Sequence, residues 1–293
     1  MTLRERIAIL FWPVTAPIRF IQAHFKATLL VLIVLMIIMS GDKVEHVQEN
    51  LYRIDISGPI FESETFLKEM EKAKAENVKG LFLVVNSPGG LVPPSVEMMM
   101  AVREYAKERP VVVYASGLLA SGSYYASIWA DEIIANPASI VGSIGVIFQG
   151  MNAKGLLDKI GVKPMVVKSG KYKEVGAAYR EWEEYEKEAM KTLSQDIYMM
   201  FVADVAEARK LSPNDDKVFA DGKVFLAEKA KQAGLIDRVG SMAIAEKRIA
   251  ELAGVSEPKW NKKSELETFM ERLAEQSSSL LLKNIYSLGG YMN

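Results

Sequence analysis

The chain has 293 residues, and its 36 lysines and arginines nearly balance 37 aspartates and glutamates, so it carries no electrostatic footprint for nucleic acid. It has no cysteine, which excludes disulfides, thiolate nucleophiles and cysteine-ligated metals. Its 2 histidines, His24 and His46, lie beside an apolar N-terminal stretch, so a Ser-His-Asp triad within residues 51–256 is excluded.

From Ala27 to Gly41 the chain is uncharged and apolar, closed by Lys26 and Asp42. The stretch is shorter than the roughly 20 residues a helix needs to cross a bilayer, but Phe20, Ile21, Ala23 and Phe25 lengthen it while Lys26 snorkels to the interface. A membrane anchor is the expectation, ahead of a cleaved signal peptide or a buried core helix. Ile38, Met39 and Ser40 do not supply the small-x-small site that cleavage requires. Arg4, Arg6, Arg19 and Lys26 precede the span, which by the positive-inside rule leaves the N-terminus cytoplasmic and the large domain outside. The segment Ile7 to Phe20, broken by Pro13 and Pro17, reads as interfacial. The expected division is an anchor over 1–45, a catalytic domain over 46–256 and an amphipathic extension over 257–293.

In the large domain, Leu51 to Ile56 alternates apolar and polar residues and predicts a strand ended by Ser57-Gly58-Pro59. A helix follows over Glu64 to Ala75. The continuous apolar run beginning at Gly80 predicts a strand buried on both faces of a parallel sheet. A helix over Val96 to Tyr105, a strand over Val111 to Ala115 and a helix over Tyr124 to Trp129 continue the alternation, an α/β layout. Further strands are expected at Ile133 to Ala135 and Pro164 to Val167, with a helical stretch over Ala153 to Ile160 between them. Glu181 to Arg209 predicts a long charged helix. Asp221-Gly222 opens a turn, Ala227 to Ala233 a helix, LIDRV a last strand and Ala243 to Ala253 a last helix.

Two glycine-bearing turns follow the buried strands: Asn86-Ser87-Pro88-Gly89-Gly90, and Ala120-Ser121-Gly122-Ser123. Each falls beyond the C-terminal end of its strand, where ligand sites of open α/β sheets form. Singly, such a turn is usually no more than a tight connection. Paired, they offer amides that glycine leaves open to approach, so Gly89 or Gly90 with Gly122 can form an oxyanion hole. Ser121 reads as a nucleophile or, equally, as a helix cap. With histidine unavailable, its base must be a lysine, aspartate or glutamate. The cluster Lys168, Lys171 and Lys173 follows a predicted strand, but a lysine acts as base only if burial brings its pKa from about 10.4 toward neutrality. Lysines in such a run are more commonly just solvated.

The motifs NSPGG at 86–90, ASGSYYAS at 120–127, GSIGV at 142–146, KSGKYKEVG at 168–176 and ADGKVF...A...GLID between 220 and 237 occur together and in order. In this the chain resembles the signal peptide peptidase A family of serine peptidases, family S49, which shares the ClpP/crotonase fold of repeated ββα units. The resemblance spans roughly residues 50–245. It implies Ser121 as nucleophile, Lys173 as base, Lys168 and Lys171 as supporting candidates, Ser143 as the hydroxyl that orients the base, and Gly89 or Gly90 in the oxyanion hole. The family usually has glycine where this chain has Ser123, which makes Ser123 a second candidate hydroxyl.

The resemblance also implies that the lysine of one domain serves the serine of another. One-domain chains then assemble as homo-oligomeric rings, with octamers the precedent. Substrates would be hydrophobic signal-peptide remnants at the inner membrane, cut by an anchored, single-pass enzyme without metal or cofactor. Two rival readings are a crotonase-like acyl-CoA enzyme and a non-catalytic membrane scaffold of the same fold. The Ser/Lys segments and the anchor argue against the first, and the presence of both nucleophile and base against the second.

Overall fold

The computed structural model describes residues 24–27, 29–32 and 49–261, in two units. In the first, residues 25–27 and 29–32 are helical and exposed. Among the described residues no helix is long and apolar enough to cross a membrane, and most of the expected span from Ala27 to Gly41 lies outside them.

In the second unit one sheet joins β1 (Leu51–Ser57), β2 (Gly80–Ser87), β3 (Val111–Ala120), β4 (Glu132–Ala135), β5 (Ile140–Gly142), β6 (Val224–Leu226) and β7 (Arg238–Val239). The order β1-β2-β3-β4-β7 is parallel throughout; β5 pairs parallel with the end of β3 and antiparallel with β6. The helices are α1 (Glu64–Ala75), α2 (Val92–Ala106), α3 (Gly122–Ser127), α4 (Lys154–Ile160), α5 (Glu184–Arg209), α6 (Asp216–Phe219), α7 (Ala227–Gln232) and α8 (Met242–Leu252). This is a mixed α/β fold on a mainly parallel sheet.

The period-two geometry of a strand explains why β2 is apolar without interruption. Leu81, Leu83 and Val85 enter a core with Phe66 and Met70 of α1, Met98 of α2, Tyr124 of α3 and Phe201 of α5. Phe82 and Val84 point the other way, against Ala245 and Ile249 of α8 and against Trp260, whose ring centroid lies 5.6 Å from that of Phe82. Residues at the start of the expected C-terminal extension run along the open edge of β1: the Lys259 carbonyl accepts from the Asn50 amide at 2.9 Å, and the Asn261 side chain from the Arg53 amide at 2.7 Å.

Several boundaries differ from expectation for physical reasons. The second helix starts at Val92 because Pro93 and Pro94 sit in its first turn, where amides have no intrahelical acceptor. The long helix starts at Glu184, set by a capping box between Glu183 and Glu186. Pro164–Val167 is not a strand. It pairs with no sheet edge, and Met165 is 96% exposed, so its strand-like composition finds no partner to complete the hydrogen bonds.

One irregularity positions the site. Val85 pairs with Ala115 but Ser87 pairs with Leu119, so β3 carries extra residues opposite Asn86. The Asn86 Oδ1 fills the bulge by accepting from the Leu118 amide at 3.0 Å, and a Cβ on Gly117 would lie 2.5 Å from that oxygen. The bulge bends β3, as bulges do, and lets Leu118–Ala120 leave β4 and pair with β5. Ser121 is the next residue.

Candidate active site

Ser121 closes β3 and opens α3. Its amide donates to the Gly142 carbonyl at 2.8 Å and its carbonyl accepts from the Tyr125 amide at 2.9 Å. These bonds hold it at φ 52° and ψ −124°, a conformation that L-residues adopt only when the surroundings enforce it. It occupies the helix-cap position, yet its hydroxyl makes no capping bond. The capping alternative therefore fails, and Ser121 lines a cavity.

The NSPGG turn lies directly against it. Gly89 has φ +87°, and a Cβ there would stand 2.4 Å from the Gly122 amide nitrogen and 2.9 Å from the Ser121 Cβ. The Gly89 amide is already committed, donating to Ser87 Oγ at 3.2 Å, while the Gly89 carbonyl accepts from Ile60 at 2.9 Å. The Gly90 amide has no acceptor among the described residues, and Gly122, in the first turn of α3, has no intrahelical one. A Cβ on Gly122 would lie 3.2 Å from the Gly90 nitrogen, so the two open amides are neighbours. Of the two glycines left open by the sequence, Gly90 is the one whose amide is uncommitted among the described residues.

Ser123 is buried, and its hydroxyl is fully engaged: it accepts from the Ala120 amide at 3.0 Å and lies 2.7 Å from the Ser87 carbonyl. It knits the two turns together and has no hydroxyl proton to spare for a reaction. Ser143, at φ 52°, is anchored through its amide to the Lys223 carbonyl at 2.6 Å. It lines, with Ser121, Gly90, Tyr198 and Asp221, an open cavity of about 570 Å³. A smaller recess beside Ser121 and Gly122 is lined by Val92, Tyr125, Val146, Ile197 and Phe201.

The expected lysines sit elsewhere. Lys173 is exposed, lines neither cavity, and its amine has no hydrogen bond or ion pair among the described residues. Lys168 donates to Glu174 at 2.6 Å, a bond that raises its pKa and commits its proton. The Lys171 amine lies 4.2 Å over the Tyr185 ring. Within one chain the structure brings Ser121, Gly90, Gly122 and Ser143 together and leaves all three lysines away from the cavity.

Sequence reasoning passed over the floor of the recess. Tyr125 stacks on Phe201 at 4.3 Å between ring centroids, and its hydroxyl donates to Asp204 of α5. Burial, then the Asp204 carboxylate, pushes the phenol up and keeps it protonated. An aromatic in a short helix carries no local mark of that partner 79 residues away.

A strained serine at a strand end, lining a cavity beside two amides without an acceptor among the described residues, defines a site suited to acyl transfer through a serine nucleophile. The chain belongs to peptidase family S49, whose family model matches residues 103–256. It is 47% identical over 185 residues to "Putative protease MJ0651" of Methanocaldococcus jannaschii, across 63% of this chain and 60% of that one. It is 36% identical over 177 residues to "Putative signal peptide peptidase SppA" of Enterococcus faecium, across 60% of this chain and 51% of that one. The matched region thus spans only part of these relatives. The solved 1510-N membrane-bound stomatin-specific protease with a substrate peptide shares the fold, with a TM-score of 0.52 at 14% identity over 78% of this chain and 99% of that one.

Proposed function

We propose that this chain is a membrane-anchored serine endopeptidase with a Ser/Lys dyad. Ser121 is the nucleophile, Gly90 and Gly122 donate to the oxyanion, and Lys173 is supplied by a neighbouring copy of the chain, oriented there by Ser143. The observation that carries this reading is the Ser121 hydroxyl, uncapped and strained at φ 52°, beside amides that have no acceptor among the described residues. The separation of Lys173 from that cavity is what a dyad shared between subunits requires.

In the reaction, a neutral lysine amine takes the Ser121 proton as the oxygen attacks the peptide carbonyl. The two amides stabilise the tetrahedral oxyanion, the protonated amine returns its proton to the leaving nitrogen, and water hydrolyses the acyl-enzyme. Docking against a neighbour supplies the apolar burial that an exposed lysine lacks and a basic amine needs at neutral pH. The exposed apolar run Ile147, Met151, Leu156, Ile160 and Met165 is surface for such docking, in a ring of which an octamer is the expected form.

The substrates are hydrophobic or unfolded peptides, signal-peptide remnants among them. The apolar lining of the recess beside Ser121 and the name of the Enterococcus relative support this. The stretch Ala27–Gly41 anchors the enzyme in the cytoplasmic membrane, with the catalytic domain, residues 46–256, on the outer side and 257–293 as an extension. Neither a crotonase-like acyl-CoA reaction nor a scaffold role explains the strained, uncapped serine. Ser121→Ala should abolish hydrolysis of an unfolded fluorogenic peptide without lowering the melting temperature. Retained turnover would reject the assignment.

A further inference from the structure

The segment that carries Lys173 holds a buried charge that the reaction does not use. Glu186, in the first turn of α5, has a side chain that is 0% exposed. Arg180 meets it with both arms of its guanidinium, Nη1 and Nη2 each donating at 2.7 Å, and Glu186 also accepts from the Glu183 amide at 2.9 Å. The same Nη2 lies 3.3 Å from the Glu174 carboxylate and donates to the Glu174 backbone carbonyl at 3.3 Å. Glu174 is completed by Lys168 at 2.6 Å and by the Tyr179 hydroxyl. Exposed pairs elsewhere, such as Lys191–Glu188 at 3.8 Å, order little, whereas a forked guanidinium on a buried carboxylate fixes geometry.

This clamp joins two things that the proposed chemistry needs in register. One is the turn bearing Lys173, closed by its amide on the Gly170 carbonyl at 3.3 Å and followed directly by Glu174. The other is α5, whose Ser194, Gln195 and Tyr198 line the Ser121 cavity. The Tyr185 hydroxyl adds a second tie, donating to the Lys171 carbonyl at 3.1 Å. We propose that Arg180 is a positioning residue: by clamping Glu174 to Glu186 it fixes the Lys173 turn on α5, so that the Lys173 amine projects outward in the orientation that meets the Ser121 of a neighbouring copy. Lys168 then belongs to the clamp and is not a competing base. The inference rests on the reading of Lys173 as the base.

The test uses the full chain in detergent, with turnover of an unfolded fluorogenic peptide and assembly followed by light scattering. Arg180→Lys keeps the charge but cannot fork to two carboxylates. It should lower kcat about 100-fold, the cost of a displacement of about 1 Å at a reacting group, with KM and assembled mass near wild type. Glu174→Gln leaves the Arg180–Glu186 pair in place, so folding is preserved, and should lower kcat in the same sense. Wild-type kcat in both variants, with Lys173→Ala inactive, would overturn the clamp and leave the base standing. A loss that merely tracks unfolded or unassembled protein would overturn it as well. Full activity in Lys173→Ala would remove the base, and this proposal with it.

Discussion

Gly89→Ala separates a clash at the site from a generic cost of replacing glycine. Gly89 has φ +87°, where an L-residue loses about 1–2 kcal/mol. Its new Cβ would stand 2.4 Å from the Gly122 nitrogen and 2.7 Å from the Ala120 carbonyl oxygen, both backbone atoms that cannot swing aside. Overpacking of that kind adds about 1–3 kcal/mol. The sum, about 2–5 kcal/mol, corresponds to a fall in melting temperature of about 4–20 °C for a domain of this size. Gly58→Ala is the control, because φ is +72° there but no atom lies within 4 Å of the new Cβ, so only the conformational cost applies. Thermal melts followed by circular dichroism measure both. Turnover adds the second arm: a displaced Gly122 amide should cost about 10²–10³ in kcat, whereas Gly58→Ala should leave kcat unchanged. If the two variants melted together and turned over alike, the apposition of the two glycine turns would not be what builds the site.

Ser123→Ala strips the partner from the Ala120 amide and should cost about 1–3 kcal/mol by chemical denaturation, while kcat per folded molecule stays near wild type. Tyr125→Phe leaves the Asp204 carboxylate without its phenol donor and should cost about 1.5–3 kcal/mol, read from the denaturation midpoint. The clamp carries a pH signature: Arg180 chiefly holds Glu186 at about 2, and Lys168, then Tyr179 and Arg180, hold Glu174 at about 2. An unpaired glutamate titrates near about 4.3, so these depressed carboxylates contribute stability that is fully present above about pH 5 and is lost as pH falls toward 2. The melting-temperature gap between wild type and Glu186→Gln should therefore be constant at neutral pH and shrink on acidification; a gap that widened would contradict the pairing.

What could be read before the structure was local. The apolar run of β2, the alternation of strands with helices and the glycines at strand ends depend on neighbours in sequence, and periodicity and turn chemistry report them. The three-residue strands β5 and β6 are too short to show a period: the bulge at Asn86 frees the end of β3 to pair with β5, and β5 in turn pairs with β6. Pro164–Val167 misled for the converse reason, since its composition is strand-like and no edge receives it. That the Gly89 amide is committed to Ser87 and the Gly90 amide has no acceptor among the described residues could be known only from the partner of each. The Arg180–Glu186 pair lay hidden in a charged run that reads as solvated surface, although one of its carboxylates is buried.

The most direct test of the shared dyad mixes two dead variants. Ser121→Ala keeps Lys173 and Lys173→Ala keeps Ser121, so each should be inactive alone. On the proposed arrangement, random one-to-one co-assembly should restore about a quarter of wild-type activity, because a site would need an intact serine from one subunit and an intact lysine from another, each with an even chance. Mixed assemblies that form but hydrolyse nothing would contradict the account.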